Sequence, residues 1–149
     1  MQIVGSDKPE FYQAASVIKA HLPLVVISPE CQIIYDENRY YGIITPDGDN
    51  MCYDHVCLDP WYMTPQHIFM VLTTVFSIGT VLNAFVAPEN SRSKRFLNGV
   101  GFTNTGTLRQ ADGNWEIYSM TAAEWQNNRI RRHFLQKQAQ SENNTRGIA

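Results

Sequence analysis

The spacing of apolar and polar positions divides the first half of the chain into one helix and three strands. From Lys8 to His21, apolar side chains recur every three or four residues around an early Pro9, which predicts a first helix. After Pro23, short runs rich in β-branched and aromatic residues alternate with turn-forming residues. These runs predict three consecutive antiparallel strands, CQIIYD (31–36), YYGII (40–44) and MCYDHVCL (51–58).

The second half of the chain continues this alternation. Thr64 and Pro65 form a typical cap and first turn for a central helix, whose apolar stripe begins at Ile68. The apolar run VLNAFVA (81–87) predicts a buried strand, and the helix before it favours parallel pairing with the preceding strand. A short helix over 90–99, a hairpin formed by TNTGTLRQ (103–110) and NWEIYSMT (114–121), and a last helix complete the prediction.

This order of elements predicts a mixed α/β fold, with a central mixed β-sheet flanked by helices and a helical tail at the carboxyl end. A length of 149 residues is near the usual size of one compact domain. Charged residues make up only 17% of the chain and hydrophobic residues 44%, which excludes intrinsic disorder and coiled coil. The sequence therefore describes one globular domain.

Charge is distributed unevenly along the chain. The net charge is −2, but the segment from Trp125 to Ala149 carries +4, which leaves −6 for the first 124 residues. We therefore divide the chain into a domain over 1–125 and a basic helical or extended tail over 126–149. The tail is interpreted either as a solvated terminus or as an arm for an acidic partner or DNA. The contacting residues of such an arm would be Arg129, Arg131, Arg132 and Lys137.

Cysteine usage and the amino terminus favour synthesis in a reducing cytoplasm. Cys31, Cys52 and Cys57 form no CxxC pair, and no histidine stands at zinc-ligand spacing from them, so we predict no metal site. The first residues lack the basic and apolar regions of a signal peptide. The longest apolar stretch, from Ile68 to Gly79, falls short of the roughly 20 residues that cross a bilayer, so we expect no membrane partner.

The segment NSRSKRFLNGVGF, from Asn90 to Phe102, resembles the fourth-helix motif of the GCN5-related N-acetyltransferases. That motif has an Asn, a helix ending in Tyr, and Gly-Phe at a fixed distance, and Asn90, Gly101 and Phe102 match it. The order of elements over residues 1–125 also resembles this family. Within it, the chain is most similar to the acetyltransferase-like internal virion proteins of short-tailed bacteriophages, in which an Asn also leads into a helix carrying Arg-Phe-Leu.

Two features of the sequence, the loop before the central helix and the residue at position 97, depart from the pattern that the resemblance implies. The family binds the pyrophosphate of acetyl-CoA with backbone N–H groups of a glycine-rich loop that opens the central helix. The matching glycine positions here are Thr64, Gln66 and Ile68, and Pro65 removes one donor. The family also places a Tyr, which protonates the leaving thiolate, at the position of Leu97, and leucine has no proton to give.

A proton acceptor for an active enzyme is available on the third strand of the first trio. Asp54, His55 or a water held by them would deprotonate the attacking amine. A partly buried, hydrogen-bonded core histidine is the other interpretation of His55. The resemblance implies that acetyl-CoA would cross the start of the central helix, with Asn90 near the thioester. The cofactor would then contact Tyr62, Thr64, Gln66 and His67.

Three functional hypotheses follow. The first, which takes the two departures at face value, is a virion-associated structural or assembly protein of a bacteriophage, with an acetyltransferase-like fold and no cofactor. It would be made in the host cytoplasm, be located in the virion and contact other virion proteins. The alternative is a divergent, active N-acetyltransferase that transfers the acetyl group of acetyl-CoA to an amine. The third is contact with DNA through the basic tail.

Overall fold

The computed structural model describes residues 1–147, and they form a seven-stranded sheet with helices on both faces. The strands are β1 (Gln2–Gly5), β2 (Gln32–Asp36), β3 (Tyr40–Asp47), β4 (Asn50–Cys57), β5 (Val81–Val86), β6 (Thr103–Gln110) and β7 (Gly113–Thr121). The helices are α1 (Pro9–His21), α2 (Pro65–Val75), α3 (Ser91–Val100), α4 (Ala122–Gln126) and α5 (Arg129–Gly147). The spatial order of the strands is β1-β2-β3-β4-β5-β7-β6.

The predicted elements are present in the predicted order, with two differences. One is β1, which the sequence pattern does not predict: this four-residue strand pairs antiparallel with β2 and is too short to show a clear periodicity, although a turn over Gly5–Lys8 follows it. The single last helix is two helices, because a capping box of Thr121 and Glu124 starts α4 and Asn127 ends it before α5 begins. The predicted tail, 126–149, thus contains the last residue of α4 and all of α5, and its last two residues lie outside the described part.

Two hydrophobic cores lie on the two faces of the sheet. Helix α1 packs on one face, where Ile18 and Phe11 meet the buried isoleucines of β2 and β3. Helices α2 to α5 cover the other face around Val75, Leu82 and Met120. Because successive side chains of a strand point to opposite faces, the odd-numbered residues of β4 point to the α2 face and the even-numbered residues to the α1 face. No helix of residues 1–147 has the length and apolar character to cross a membrane.

Strands β4 and β5 run parallel, as predicted, but pair over only two positions. The ladder joins Met51 to Leu82 and Cys52 to Asn83, although both strands continue beyond it. Gly79 permits this junction, because a Cβ there would lie 2.6 Å from Sδ of Met51. Further along, β4 stays paired with β3 and β5 stays paired with β7, so the two halves of the sheet separate between β4 and β5.

The α1 core should dominate the stability of the first half of the sheet. Ile18 is completely buried, so Ile18→Ala should lower the free energy of unfolding by about 2–5 kcal/mol. Leu24, which is 93% exposed, provides the control, and Leu24→Ala should change stability by less than about 0.5 kcal/mol. Urea unfolding followed by circular dichroism measures both, and equal effects of the two substitutions would contradict this assignment of the core.

Candidate functional site

A cavity of about 250 Å³ lies in the gap between β4 and β5. Its walls come from β4, β5, α2 and α3, and most of them are apolar. The residues along it include Tyr40, Tyr53, Asp54, His55, Met63, Leu72, Leu82, Ala84, Phe96, Leu97 and Phe102. The cavity therefore exists because β4 and β5 stop pairing, and it lies against the segment that carries the predicted proton acceptors.

An aromatic cluster forms one end of the cavity. The hydroxyl groups of Tyr40 and Tyr53 are hydrogen bonded to each other, and the Tyr40 ring lies 5.6 Å from the His55 ring. Tyr53 reaches this position by crossing Gly42 of β3, where a Cβ would lie 3.0 Å from Cζ of Tyr53 and closer still to its hydroxyl. Gly42 is thus required for the placement of Tyr53 at the cavity.

Three consecutive titratable residues of β4, Tyr53, Asp54 and His55, have pKa values shifted from their usual ranges. Burial raises the pKa of the Tyr53 hydroxyl well above its usual range, so Tyr53 stays protonated. His55 is accessible to solvent, but the protein around it displaces enough water to lower its pKa and keep the ring neutral. Asp54, which points to the opposite face, is also exposed, but the protein around it displaces enough water to raise the pKa of its carboxyl. Tyr53 and Asp54 therefore border the same cavity from opposite faces of the sheet, and each keeps its proton to a higher pH than usual.

The amino terminus of α2 satisfies most of its own N–H groups. Thr64 Oγ1 accepts from the His67 N–H, the Thr64 carbonyl accepts from the Ile68 N–H, and Pro65 has no N–H. Among the backbone donors of this first turn, Gln66 alone has no partner within the described residues. This turn therefore lacks the run of free donors with which a glycine-rich loop binds a pyrophosphate.

The aromatic residues before α2 lie in two different environments. Tyr62 is completely buried, with its ring stacked between Tyr40 at 5.0 Å and His67 at 4.1 Å. Trp61 is 84% exposed, and Met63 lies at the wall of the cavity. Tyr62 and His67 thus pack with each other in the structure, and the Tyr62 side chain is not at the surface where a cofactor would lie.

A second, larger groove of about 840 Å³ lies between the start of α2, α3 and α5. Four basic residues line it and no acidic residue does, namely Arg95, Arg129, His133 and Lys137. The groove shares part of its wall with the cavity, where Met63, Ile68, Phe96 and Val100 border both. The apolar cavity and the basic groove are therefore adjacent parts of one concave region.

The remaining residues singled out from the sequence lie elsewhere. Asn90 caps α3 by accepting from the Ser93 N–H at 3.1 Å, and it does not line the cavity. Arg131 donates to the Gln126 carbonyl, and Arg132 borders a separate surface groove beside α4. Within residues 1–147, no group of three or more His, Cys, Asp and Glu side chains is arranged to hold a metal ion.

Three site residues were missed in the sequence analysis. Tyr53 was missed although a glycine inside the strand run YYGII indicates close approach of another side chain. His133 stands four residues from both Arg129 and Lys137, a spacing that places all three on one helix face. Arg95 carries no such signal, because only the tertiary fold brings α3 next to α5.

The fold resembles solved acetyltransferase structures. No protein-family model and no curated protein matches the chain. AAC(6')-Ib in complex with paromomycin and acetyl-CoA has a TM-score of 0.57 and 17% identity, over 77% of this chain and 78% of that one. The same enzyme in complex with coenzyme A and kanamycin has a TM-score of 0.58 and 13% sequence identity, over 85% of this chain and 96% of that one. Mycobacterium smegmatis RimJ in complex with CoA-disulfide has a TM-score of 0.50 and 18% sequence identity, over 78% of this chain and 61% of that one.

These similarities define the class of fold. The chain has the fold of the GCN5-related N-acetyltransferases, with a helix at its carboxyl end, which confirms the fold predicted from the sequence. They add nothing to the resemblance to bacteriophage virion proteins, which stays a prediction. Because these sequence identities are below 20%, the similarity establishes the fold alone, and the activity must be inferred from the residues of the site.

Placement of Tyr53 over Gly42 is testable by stability. Gly42→Ala should lower the free energy of unfolding by about 1–3 kcal/mol, because the new methyl group overlaps the Tyr53 ring. In a Tyr53→Ala background the same change should have a much smaller effect, which a double-mutant cycle measures. Gly99, which has open space around it on α3, is the matched control and should tolerate alanine. Equal effects of Gly42→Ala in both backgrounds would contradict the contact.

Proposed function

We propose that the protein is an N-acetyltransferase that binds the acyl-pantetheine arm of acetyl-CoA in the cavity between β4 and β5. The observation that carries this proposal is the two-residue ladder. Beyond Cys52 and Asn83, the facing edges of both strands are unpaired and border the cavity. An extended arm with amide groups inserted there would hydrogen bond to these edges as an added strand does. In support, solved structures of this fold contain acetyl-CoA or coenzyme A.

The cavity also suits the acyl end of such an arm. Leu72, Leu82, Phe96 and Leu97 supply an apolar wall on the α2 face. An acetyl thioester has no charge and gains from leaving water, so this wall favours it. The acceptor amine would then approach from the α1 face, because α2 and α3 close the other side.

Proton transfer would use two adjacent residues of β4. The amine nitrogen attacks the thioester carbonyl carbon and forms the C–N bond, while the Asp54 carboxylate takes the amine proton. The C–S bond then breaks, and the thiolate of coenzyme A takes the Tyr53 hydroxyl proton, a role that Leu97 cannot fill. Asp54 releases its proton to solvent and Tyr53 regains one from solvent. The products are an N-acetylated amine and the thiol of coenzyme A.

A catalytically inactive scaffold is the competing hypothesis. The virion location, the virion protein partners and contact with DNA stay predictions, since none of the described residues favours them over the thioester site. The missing glycine loop remains compatible with an enzyme, because a cavity for the arm is present and a basic groove adjoins it.

Acetyl-CoA binding tests the cavity directly. Isothermal titration should fit one site with a micromolar dissociation constant, which corresponds to about −8 kcal/mol. Ala84 lines the cavity, so Ala84→Leu should weaken binding by filling it, whereas Ala123→Leu on the exposed surface of α4 should leave binding unchanged. Absence of wild-type binding at millimolar acetyl-CoA would contradict the proposal.

The proton-transfer roles predict distinct kinetic changes. With a panel of primary amines and detection of the released thiol, Asp54→Asn should lower kcat by about 10²–10⁴-fold without changing the affinity for acetyl-CoA. Wild-type activity should rise with pH as Asp54 loses its proton, at a pH above that of an ordinary aspartate, and the variant should lack this limb. Tyr53→Phe should lower kcat and leave KM unchanged.

Tyr12, a partly exposed residue of α1, provides the matched control, and Tyr12→Phe should have no effect on kcat. If His55→Asn, and not Asp54→Asn, removes the pH-dependent limb, His55 is the proton acceptor. Wild-type kcat values in both Asp54→Asn and Tyr53→Phe would show that the reaction does not use these residues.

A further inference from the structure

We propose that α5 holds the phosphate groups of the bound acyl-CoA, in place of the glycine-rich loop that this chain lacks. The inference rests on the proposed function and goes beyond it, because it assigns the anion site to a different element of the fold. The ligand class is a thioester with a phosphorylated nucleotide at its far end. The residues that would recognise it are Arg95, Arg129, His133 and Lys137.

The basic residues of the groove lie on two neighbouring helices. Arg129, His133 and Lys137 follow one another at intervals of four residues, so they lie on one face of α5 and line the groove together. Arg95 lies across from them on α3. The ion pairs among the described residues involve Arg39 and Lys94, and none involves these four. Because no acidic side chain lines this groove, the charges of Arg95, Arg129 and Lys137 produce a positive potential that an anionic ligand neutralises.

Helix α5 is fixed in place by contacts with α2 and with the end of α3. Phe134 stacks on Phe69 of α2 with ring centroids 5.4 Å apart, and Ile130 packs against the core. At the start of α5, the Asn128 side chain donates to the Val100 carbonyl at 2.7 Å and accepts from the Ile130 N–H. These contacts set the basic face of α5 against α2 and α3. A positioned set of cations binds an anion with less loss of side-chain entropy than a mobile tail.

The groove is continuous with the cavity. Met63 and Phe96 border both the cavity and the groove, so a ligand can lie across this boundary with its apolar arm on one side and its phosphates on the other. A groove of about 840 Å³ falls in the range of nucleotide-sized sites. The single unpaired donor of the α2 turn, the Gln66 N–H, borders the same groove and would add to the side-chain contacts.

A long nucleic acid fits these observations less well. Two basic residues of α5 do not line this groove. Arg131 is bonded to the Gln126 carbonyl, and Arg132 borders the groove beside α4, which Arg129 borders as well. The four remaining groups converge on a concave site next to an apolar cavity, which a duplex backbone would not enter. The groove therefore favours a small polyanion that carries an apolar arm.

The test compares two ligands that share the thioester arm. Titrating the full-length protein with acetyl-CoA and with acetyl-pantetheine, which lacks the nucleotide and its phosphates, separates the arm from the anion site. Arg129→Gln with Lys137→Gln should weaken acetyl-CoA binding roughly 10-fold or more, since charge-assisted contacts are lost. The same variant should bind acetyl-pantetheine as the wild type does. Arg109→Gln, on the exposed strand β6, is the charge-matched control and should change neither affinity.

Each outcome decides the inference. Unchanged acetyl-CoA binding by the double variant overturns it and leaves the proposed function standing. If the wild type binds neither thioester, the proposed function fails. Titration with adenosine 3′,5′-bisphosphate then tests the phosphate site separately. Binding that the double variant loses supports the site on α5, and absence of binding to the wild type overturns it. Salt-sensitive duplex DNA binding that depends on Arg129 and Lys137, with acetyl-CoA binding unaffected, also overturns it.

Discussion

The incomplete pairing of two parallel strands is the constraint on which the rest of this structure depends. Two residue pairs, at Met51 and Cys52, hold the halves of the sheet together at one end, and each strand is then retained by its outer neighbour. Backbone groups that lose a ladder partner require another partner or water. The gap is stable because apolar side chains of α2 and α3 cover it. The packing that forms the hydrophobic core on this face therefore also forms the wall of the cavity.

The alternation of side chains along β4 turns this gap into a site with two different sides. Tyr53 and His55 share the covered face with the aromatic cluster, and Asp54 lies on the other face. A strand at the edge of a gap thus places two titratable side chains on opposite faces of the sheet over a single residue step. A helix would require a longer spacing to do the same, because its neighbours in sequence diverge by about 100°.

Periodicity predicts most of this fold, and contacts distant in sequence account for what it misses. The helices α1, α2 and α3 and the strands β2 to β7 carry strong local signals, whereas β1 is too short to show one. The crossing of Tyr53 over Gly42 depends on the register between β3 and β4, which composition does not encode. Likewise, the tail resembles a solvated terminus in sequence because few of its described residues, among them Asn128, Ile130 and Phe134, attach it to the domain.

The self-capped start of α2 has a consequence for how the protein behaves when empty. In many nucleotide-binding folds, an anion completes the hydrogen bonding of a helix end, so the loop is ordered together with its ligand. Here Thr64 satisfies all but one of the N–H groups of that end, and Tyr62 and His67 stack on each other beside it. Local order at this turn is therefore independent of occupancy, and a bound molecule would contribute to thermal stability only by mass action.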